Sequence, residues 1–490
     1  MGLLEDGEPM KLFKKENGTI QILCFPDEDV RKGDYLLIED FRNKRSLLVQ
    51  VVDIQFANFP GLMEDLLRDE LTEKIVFGDD FDPLNLESQA TLLRDVRILL
   101  GKIRCSIEEG KLNMNISWLP SRTHSRVYRL DAERLIELLS LGKKRPVKIG
   151  EIGRGLELAI DVDSLDGGLS IITGRKGTGK SHLSKLLMLG LVEYGAPCVV
   201  FDVNGEYINL GLNRNGEKNR YYEKIVVLEP AKNFKITLDY AGKHILANIL
   251  AHILGLPETS LREFFRVWSE TAKTDLPTIR KIMERIKLSN LHEHIKEALL
   301  SRLYTLERSG FFTENKSELV KVEDVLKRIS SGGIIVLNLS GLPNLERKIV
   351  VEFMLGKLVE LLGKWIVKAI FLFAEEAHLY LRETYWEDII TRMRHLGLFT
   401  IFITNQPDSI HEDIYRQVDT IFLFNFKNEN DLNTITKVSK IDSETMKSIA
   451  YSLEPYHCLA IGQATKEIPL IIKVKELPVK TMGETRKFFN

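Results

Sequence analysis

Up to about residue 150 the chain alternates apolar and polar positions in short runs: TIQILCF, DYLLIED, SLLVQVVDIQF, IRCSIEEGKLNMNISWL and RVYRL. Gly, Pro, Asp and Asn punctuate them, and a period of two puts apolar side chains on one face of a strand, so residues 1–150 predict a small N-terminal β-barrel. A helical spacing interrupts the pattern at 61–71. Further on, continuous apolar runs replace alternation at 168–173, 198–203, 334–339, 369–374 and 399–404. Strands of that kind are buried on both faces, which predicts a parallel sheet covered by helices. Between the second and third runs, 238–327 is rich in Leu, Glu, Lys and Arg at helical spacing and reads as an insertion into the core. After an apolar run at 421–424 come a helical stretch near 428–452, then CLAIGQA and PLIIKVKEL as a terminal strand pair. The expected fold is α/β: a barrel at 1–150, a core divided between 151–237 and 329–465, a helical insertion at 238–328 and a C-terminal extension at 466–490.

The first core run feeds directly into chemistry. In GLSIITGRKGTGKS, residues 168–181, an apolar strand meets G-x-x-x-x-G-K-S at Gly174, Gly179, Lys180 and Ser181, a Walker A phosphate loop. The candidate cradle is Gly174, Arg175, Lys176, Gly177, Thr178, Gly179, Lys180, Ser181 and His182. Glycines let the backbone wrap a phosphate with its N–H groups inward, Lys180 meets the β and γ phosphates of ATP, and the Ser181 hydroxyl serves Mg²⁺. The helical period of HLSKLLMLGLVEYG behind the loop supplies the helix N-terminus that phosphate binding requires.

The fourth run, in AIFLFAEEAHLYL, ends in adjacent carboxylates, a Walker B pattern. Glu375 is the candidate holder of hydrated Mg²⁺ and Glu376 the candidate polariser of the attacking water. The fifth run ends in Asn405 and Gln406, where an amide senses the γ-phosphate or, equally, opens a turn before Pro407. In TRMRHLG, Arg392 and Arg394 are candidates for an arginine reaching a neighbouring subunit's nucleotide; a surface ion pair is the plainer reading of either. Asp202 and Glu206 of FDVNGEY close another strand and fit either the orientation of Mg²⁺-bound waters or a simple turn. The segment NRNGEKNRYYEK interleaves Arg214, Lys218 and Arg220 with tyrosines, a composition that suits DNA-backbone contact in a pore as well as a solvated loop.

Composition narrows the picture further. The 490 residues are 44% hydrophobic, enough for several cores, and the formal net charge of −2 leaves any nucleic-acid contact to local patches. Cys24, Cys105, Cys198 and Cys458 are far apart, which suggests neither a zinc site nor a disulfide framework and fits a reducing cytoplasm. The most apolar later region, 349–374, is broken by Glu352, Lys357, Glu360, Lys364 and Lys368, so no membrane span is expected.

Taken in order, GRKGTGKS, FDVNGEY, RLYTLERSGFF, GGIIVLNLSGL, FAEEAH, RMRHLG, ITNQP and CLAIGQA resemble the HerA family of hexameric ATPases within the HerA/FtsK group. KGDYLLIED and SLLVQVVDIQF are similar to that family's small barrel. The resemblance covers nearly the whole chain. It implies a RecA-like P-loop core, a ring of six subunits with ATP at their interfaces, DNA through the channel, and a nuclease partner of the NurA type in DNA end processing. It places Lys180 and Ser181 in the phosphate-loop roles, Glu375 and Glu376 in the Walker B roles, Asn405 at the polar sensor and Arg394 at the family's arginine. Met393 stands where a glycine is usual, and Asn405 where related members commonly have Gln. The expected activity is an ATP-driven DNA translocase or helicase. The alternatives are a stand-alone ATPase moving another polymer or partner, and a nucleotide-dependent scaffold.

Overall fold

The computed structural model describes residues 10–57, 95–380, 394–438, 443–477 and 479–480, apart from 17, 27, 154 and 427. The helical spacing at 61–71 and the candidate Arg392 lie outside the described residues. The chain divides into two units, one made of Met1–Ser140, Ile152–Leu156 and Ile441–Ser452, the other of Leu141–Glu151, Glu157–Lys440 and Leu453–Asn490.

In the first unit, β1 (Met10–Glu16), β2 (Thr19–Cys24), β3 (Tyr35–Asp40), β4 (Arg45–Phe56), β5 (Arg97–Glu108) and β7 (Ser125–Arg129) pair antiparallel in the order β1-β2-β5-β4-β3-β7, with β6 (Lys111–Asn113) on β5. The alternating apolar positions meet on the inner face, where Ile20, Ile22, Leu36, Ile38, Val49, Val51 and Val127 are buried. Irregular registers at Leu48/Val49 and Val51/Asp53 bend the long β4–β5 pair, and β1 lies alongside β7 at the far end of the order, so the sheet curls on itself. The bend brings strands too close for a side chain at Gly101, whose Cβ would stand 2.3 Å from Val49 Cγ1. The helical stretch expected near 428–452 is two helices, Glu429–Val438 and Ser443–Ser452. The latter belongs to this unit, with Ser448 Oγ donating to the Val52 carbonyl at 3.4 Å.

The second unit is built on one sheet: β12 (Ile225–Leu228), β13 (Gly333–Asn338), β11 (Pro197–Asp202), β14 (Ile370–Glu375), β15 (Leu398–Thr404), β10 (Ser170–Thr173), β16 (Thr420–Phe424), β17 (His457–Gly462), β18 (Leu470–Val474), β8 (Pro146–Ile152) and β9 (Leu156–Asp161), in that spatial order. From β12 to β16 every pair is parallel; β17, β18 and β8 follow antiparallel. Three features depart from the sequence reading. β12 was not expected, because IVVL is short and follows a polar loop. β8 joins the nucleotide-side sheet although most of it lies within the stretch 1–150 expected to form the barrel. β18 lies between β17 and β8, so the described part of 466–490 is not an appended extension but closes the sheet.

Helices Glu258–Thr274, Ile279–Leu288, Glu293–Arg308 and Val322–Arg328 fill the stretch between β12 and β13. Edge-to-face aromatic contacts tie that stretch to the long helix Asn344–Gly363: Phe311 lies 5.3 Å from Phe234 and 5.5 Å from Phe353, all buried. At the amino ends of the parallel strands, Gly462 has φ 108° and a Cβ there would come within 2.0 Å of the Asp419 carbonyl oxygen. Both the backbone conformation and the close approach exclude a side chain. Gly462→Ala is therefore expected to cost about 2 kcal/mol or more, read as a lowered thermal midpoint; an unshifted midpoint would show that β17 can move away freely.

Candidate functional site

Parallel pairing sets the site. β10 lies between β15 and β16, with Thr173 level with Thr404 on one side and Leu423 on the other. β14 follows β15, Glu375 being level with Ile403, and β11 follows β14. The carboxyl ends of β11, β14, β15 and β10 therefore present Asp202, Glu375 with Glu376, Asn405 and the phosphate loop along one edge.

The loop takes its form from its glycines. Gly174, Gly177 and Gly179 have φ of 152°, 79° and 113°, and a Cβ on Gly174 would stand 2.4 Å from Phe424 Cβ. Gly179 caps the helix Lys180–Glu193, whose first-turn N–H groups and dipole face the loop. Thr178 Oγ1 and Lys180 Nζ both donate to the Arg175 carbonyl, at 2.7 and 2.9 Å, while Arg175, Lys176 and Gly177 are exposed. Lys180 itself is only 8% exposed. Burial pushes its pKa down to about 8, against the upward pull of Glu376, Glu206 and Glu375. Ser181 is half-buried beside it, and its carbonyl accepts a bond from Ser184 Oγ at 3.0 Å.

Opposite Lys180 is a group of acids. Asp202 is fully buried, each of its oxygens accepting a backbone N–H at 2.9 Å, from Glu206 and Tyr207. Glu375 is 2% exposed, and burial together with Asp202 lifts its carboxyl well above the usual range. Asp202 is raised by burial too, against the pull of its two backbone donors. Glu376 is also raised by burial, with Lys180 opposing. Its backbone is left-handed, φ 47° and ψ 45°, a strained conformation for this residue type. Glu375 Oε2 and Asn405 Oδ1 are buried without a hydrogen-bond partner; Glu376 Oε2 makes no hydrogen bond either and lies 3.4 Å from His378 Nδ1. Oxygen acceptors buried without donors, beside a serine hydroxyl, are a donor set suited to a hydrated Mg²⁺.

The sequence reading missed Lys185. It is buried on the phosphate-loop helix, 3.5 Å from Glu206 and with its ammonium 5.1 Å from the Tyr207 ring centre, while Ser184 Oγ and Tyr207 OH are 2.6 Å apart. The available signal was a charged residue on the apolar side of an otherwise apolar helix. Its ammonium holds Glu206 at the rim of the acid group.

Other candidates fall elsewhere. His182 turns from the loop, its Nε2 lying 2.9 Å from both the Lys475 carbonyl oxygen and the Leu477 nitrogen. Gln406 Oε1 accepts from Ser409 Oγ at 3.3 Å, within the turn after β15. Arg394 sits at the amino ends of the strands, roughly 20 Å from Asn405 along β15. There its guanidinium pairs with Asp419 Oδ2 at 2.9 Å and donates to the Gly167 carbonyl. The basic loop is also internally paired: Arg214 with Glu476 at 3.1 Å, Arg220 with Glu193, and the Lys218 ammonium over the Tyr222 ring at 3.8 Å.

Residues 147–358 match the family profile described as Helicase HerA, central domain. The DNA double-strand break repair helicase HerA of Sulfolobus acidocaldarius is 26% identical over 475 residues, spanning 93% of this chain and 91% of that protein. Its counterpart from Pyrococcus furiosus is 24% identical over 377 residues, spanning 65% of this chain and 67% of that protein. Among solved structures, the plasmid coupling protein TrwB in complex with ADP and Mg²⁺ superposes with a TM-score of 0.51 at 12% identity, covering 73% of this chain and 94% of TrwB. VirB4 of Thermoanaerobacter pseudethanolicus gives 0.50 at 15% identity, covering 69% of this chain and 98% of VirB4. At such identities the structural likeness establishes the fold alone, an α/β core.

The depressed Lys180 pKa has a measurable sign. In the nucleotide-free protein the ammonium loses its proton as pH rises through about 8, and a polyphosphate restores it. Triphosphate affinity should therefore fall above pH 8, approaching ~10-fold per pH unit, with proton uptake on binding. Calorimetry in two buffers of different ionisation enthalpy reads that uptake; pH-independent binding without it would mean that the Lys180 charge is not used.

Proposed function

We propose, from the premise that this chain is a HerA-type ATP-hydrolysing enzyme, that it is an ATP-driven DNA translocase or helicase acting as a homo-hexamer in DNA end processing. The observation that carries the reading is the match to a DNA double-strand break repair helicase over 93% of the chain, joined to a phosphate loop and an acid pair on one sheet edge. In this reading the cradle from Gly174 to His182 receives ATP through its backbone N–H groups, and Lys180 bridges the outer phosphates. Ser181 and Glu375 hold Mg²⁺ through water, and Asp202 and Glu206 orient that water shell. When bound, the ion draws charge from the phosphates and fixes their geometry. Glu376, which directly follows β14 on the same edge, takes the proton of the attacking water, and Asn405 Oδ1, without a hydrogen-bond partner of its own, aligns that water between loop and carboxylate.

The hexamer, duplex DNA in its channel, a NurA-type nuclease partner and a cytoplasmic setting belong to the same proposal. No described helix is long and apolar enough to cross a membrane. A trans role for Arg394 requires a neighbour's nucleotide to meet the amino edge of this sheet and to displace Asp419 from the guanidinium. One observation favours a second reading, an ATPase that moves another polymer or partner: Arg214, Lys218 and Arg220 are engaged within the chain, and the net charge is −2.

Two measurements test the proposal. Glu376→Gln should keep ATP binding while hydrolysis falls ~10²-fold or more, because shape survives and the proton acceptor is lost; normal turnover in that variant with loss in Glu375→Gln would exchange the two roles. ATPase rates with and without duplex DNA across a salt series should show stimulation that declines steeply as salt rises. Absence of stimulation by any nucleic acid would overturn the translocase reading and leave the second.

A further inference from the structure

The two flanks of the phosphate loop differ in kind. Toward β15 stand Asn405 and the acids, where the terminal phosphate and its cation belong. Toward β16 stand Phe424 and, at the start of β17, Tyr456. Because β17 runs antiparallel to β16, with Cys458 opposite Phe424, its first residues lie at the same carboxyl edge as the loop. With outer phosphates at Lys180 and Glu376, the β16–β17 flank, past Gly179, is the side of the loop left for a nucleoside.

Tyr456 is fixed there by its backbone. Its N–H donates to the Thr178 carbonyl at 3.0 Å, inside the phosphate loop, and its own carbonyl accepts from the Val474 N–H at 2.8 Å. Its φ of 62° is left-handed, a conformation that a tyrosine takes only where its surroundings impose it. The ring touches the loop, since a Cβ on Gly179 would lie 3.1 Å from Tyr456 Cδ1, and it stands edge-on to His182, with ring centres 6.1 Å apart and planes at 76°. His182 is in turn held at Nε2 by Lys475 and Leu477. Yet Tyr456 is 51% exposed. A large aromatic ring is thus anchored at both peptide groups, braced from the side by a second ring, and open to solvent beside the phosphate cradle.

We propose that Tyr456, braced by His182, is the platform on which the base of the nucleotide stacks. Every nucleobase offers a π-face, so a bare ring supplies affinity for the base without hydrogen-bond readout, whereas the phosphates are recognised by the loop alone. The inference rests on the phosphate-loop reading and on nothing concerning DNA.

The test compares Mg-ATP with inorganic tripolyphosphate, which carries the phosphates without a base, by direct calorimetric titration of the full chain. Tyr456→Ala should weaken ATP about tenfold or more and leave tripolyphosphate unchanged, while Tyr456→Phe keeps both. Tyr456→Asn removes the ring in a residue that tolerates left-handed backbone, and gives the same comparison should the alanine variant misfold. Equal weakening of both ligands would overturn the platform, because the ring would then act by shaping the loop; unchanged ATP affinity would overturn it as well. Lys180→Ala separates the two levels: if it left both ligands bound as before, the phosphate-loop reading would fail rather than the assignment of Tyr456 alone.

Discussion

The site depends on the parallel pairing of β10 with β15 and β16 at once. A strand of four residues, Ser170–Thr173, is held on both sides, so the turn that follows it cannot shift relative to Asn405 on one flank or Phe424 on the other. Gly174 then passes within a methyl group's width of Phe424, and this contact directs the loop across the edge toward the acids. The glycines make such a path accessible to the backbone, but the two ladders decide where it leads. Rigid placement matters because donors aimed in advance at a phosphate need no reorganisation when it arrives.

The same edge concentrates charge that folding would otherwise expel. Asp202, Glu375, Glu206 and Glu376 share a small volume with Lys180 and Lys185, and most of these groups are buried. Bringing like charges together out of water opposes folding, and the chain limits the penalty through backbone donors on Asp202 and the Lys185 ammonium beside Glu206. The remaining imbalance, oxygens of Glu375 and Asn405 without a hydrogen-bond partner, would be relieved by a cation or by water. An ion bound among these acids would be coupled to local stability, since it would favour the folded arrangement of the group.

Local signals were legible in the sequence and long-range ones were not. The phosphate-loop spacing, the run into Glu375 and Glu376, and the run into Asn405 are each contained in about a dozen residues, and the structure places all three on one edge. Partners far away in sequence carry no such mark. Arg394 reads as a free cation until Asp419 and Gly167 are seen against it, and Arg220 until Glu193 is. PLIIKVKEL shows a strand but not that it lies between β17 and β8, because alternation records which face is buried and not which strand is adjacent. Tyr456 was silent for a further reason: its standing follows from a left-handed turn and a backbone bond to Thr178, neither of which has a residue-type signature when the residue is tyrosine.

The position of β18 has a bearing on how the protein is made. On a ribosome, β8 emerges as residues 146–152, yet β18, the strand that joins it to β17, is residues 470–474. At usual elongation rates the interval is on the order of tens of seconds. During it, one margin of the large sheet has exposed N–H and C=O groups and a half-apolar face, the kind of surface that pairs with the wrong chain. Nascent copies on one message pass through that state side by side. For a protein with such a closing strand, holding the unfinished edge apart until β18 has been made is as much a condition of its existence as any contact in the finished fold.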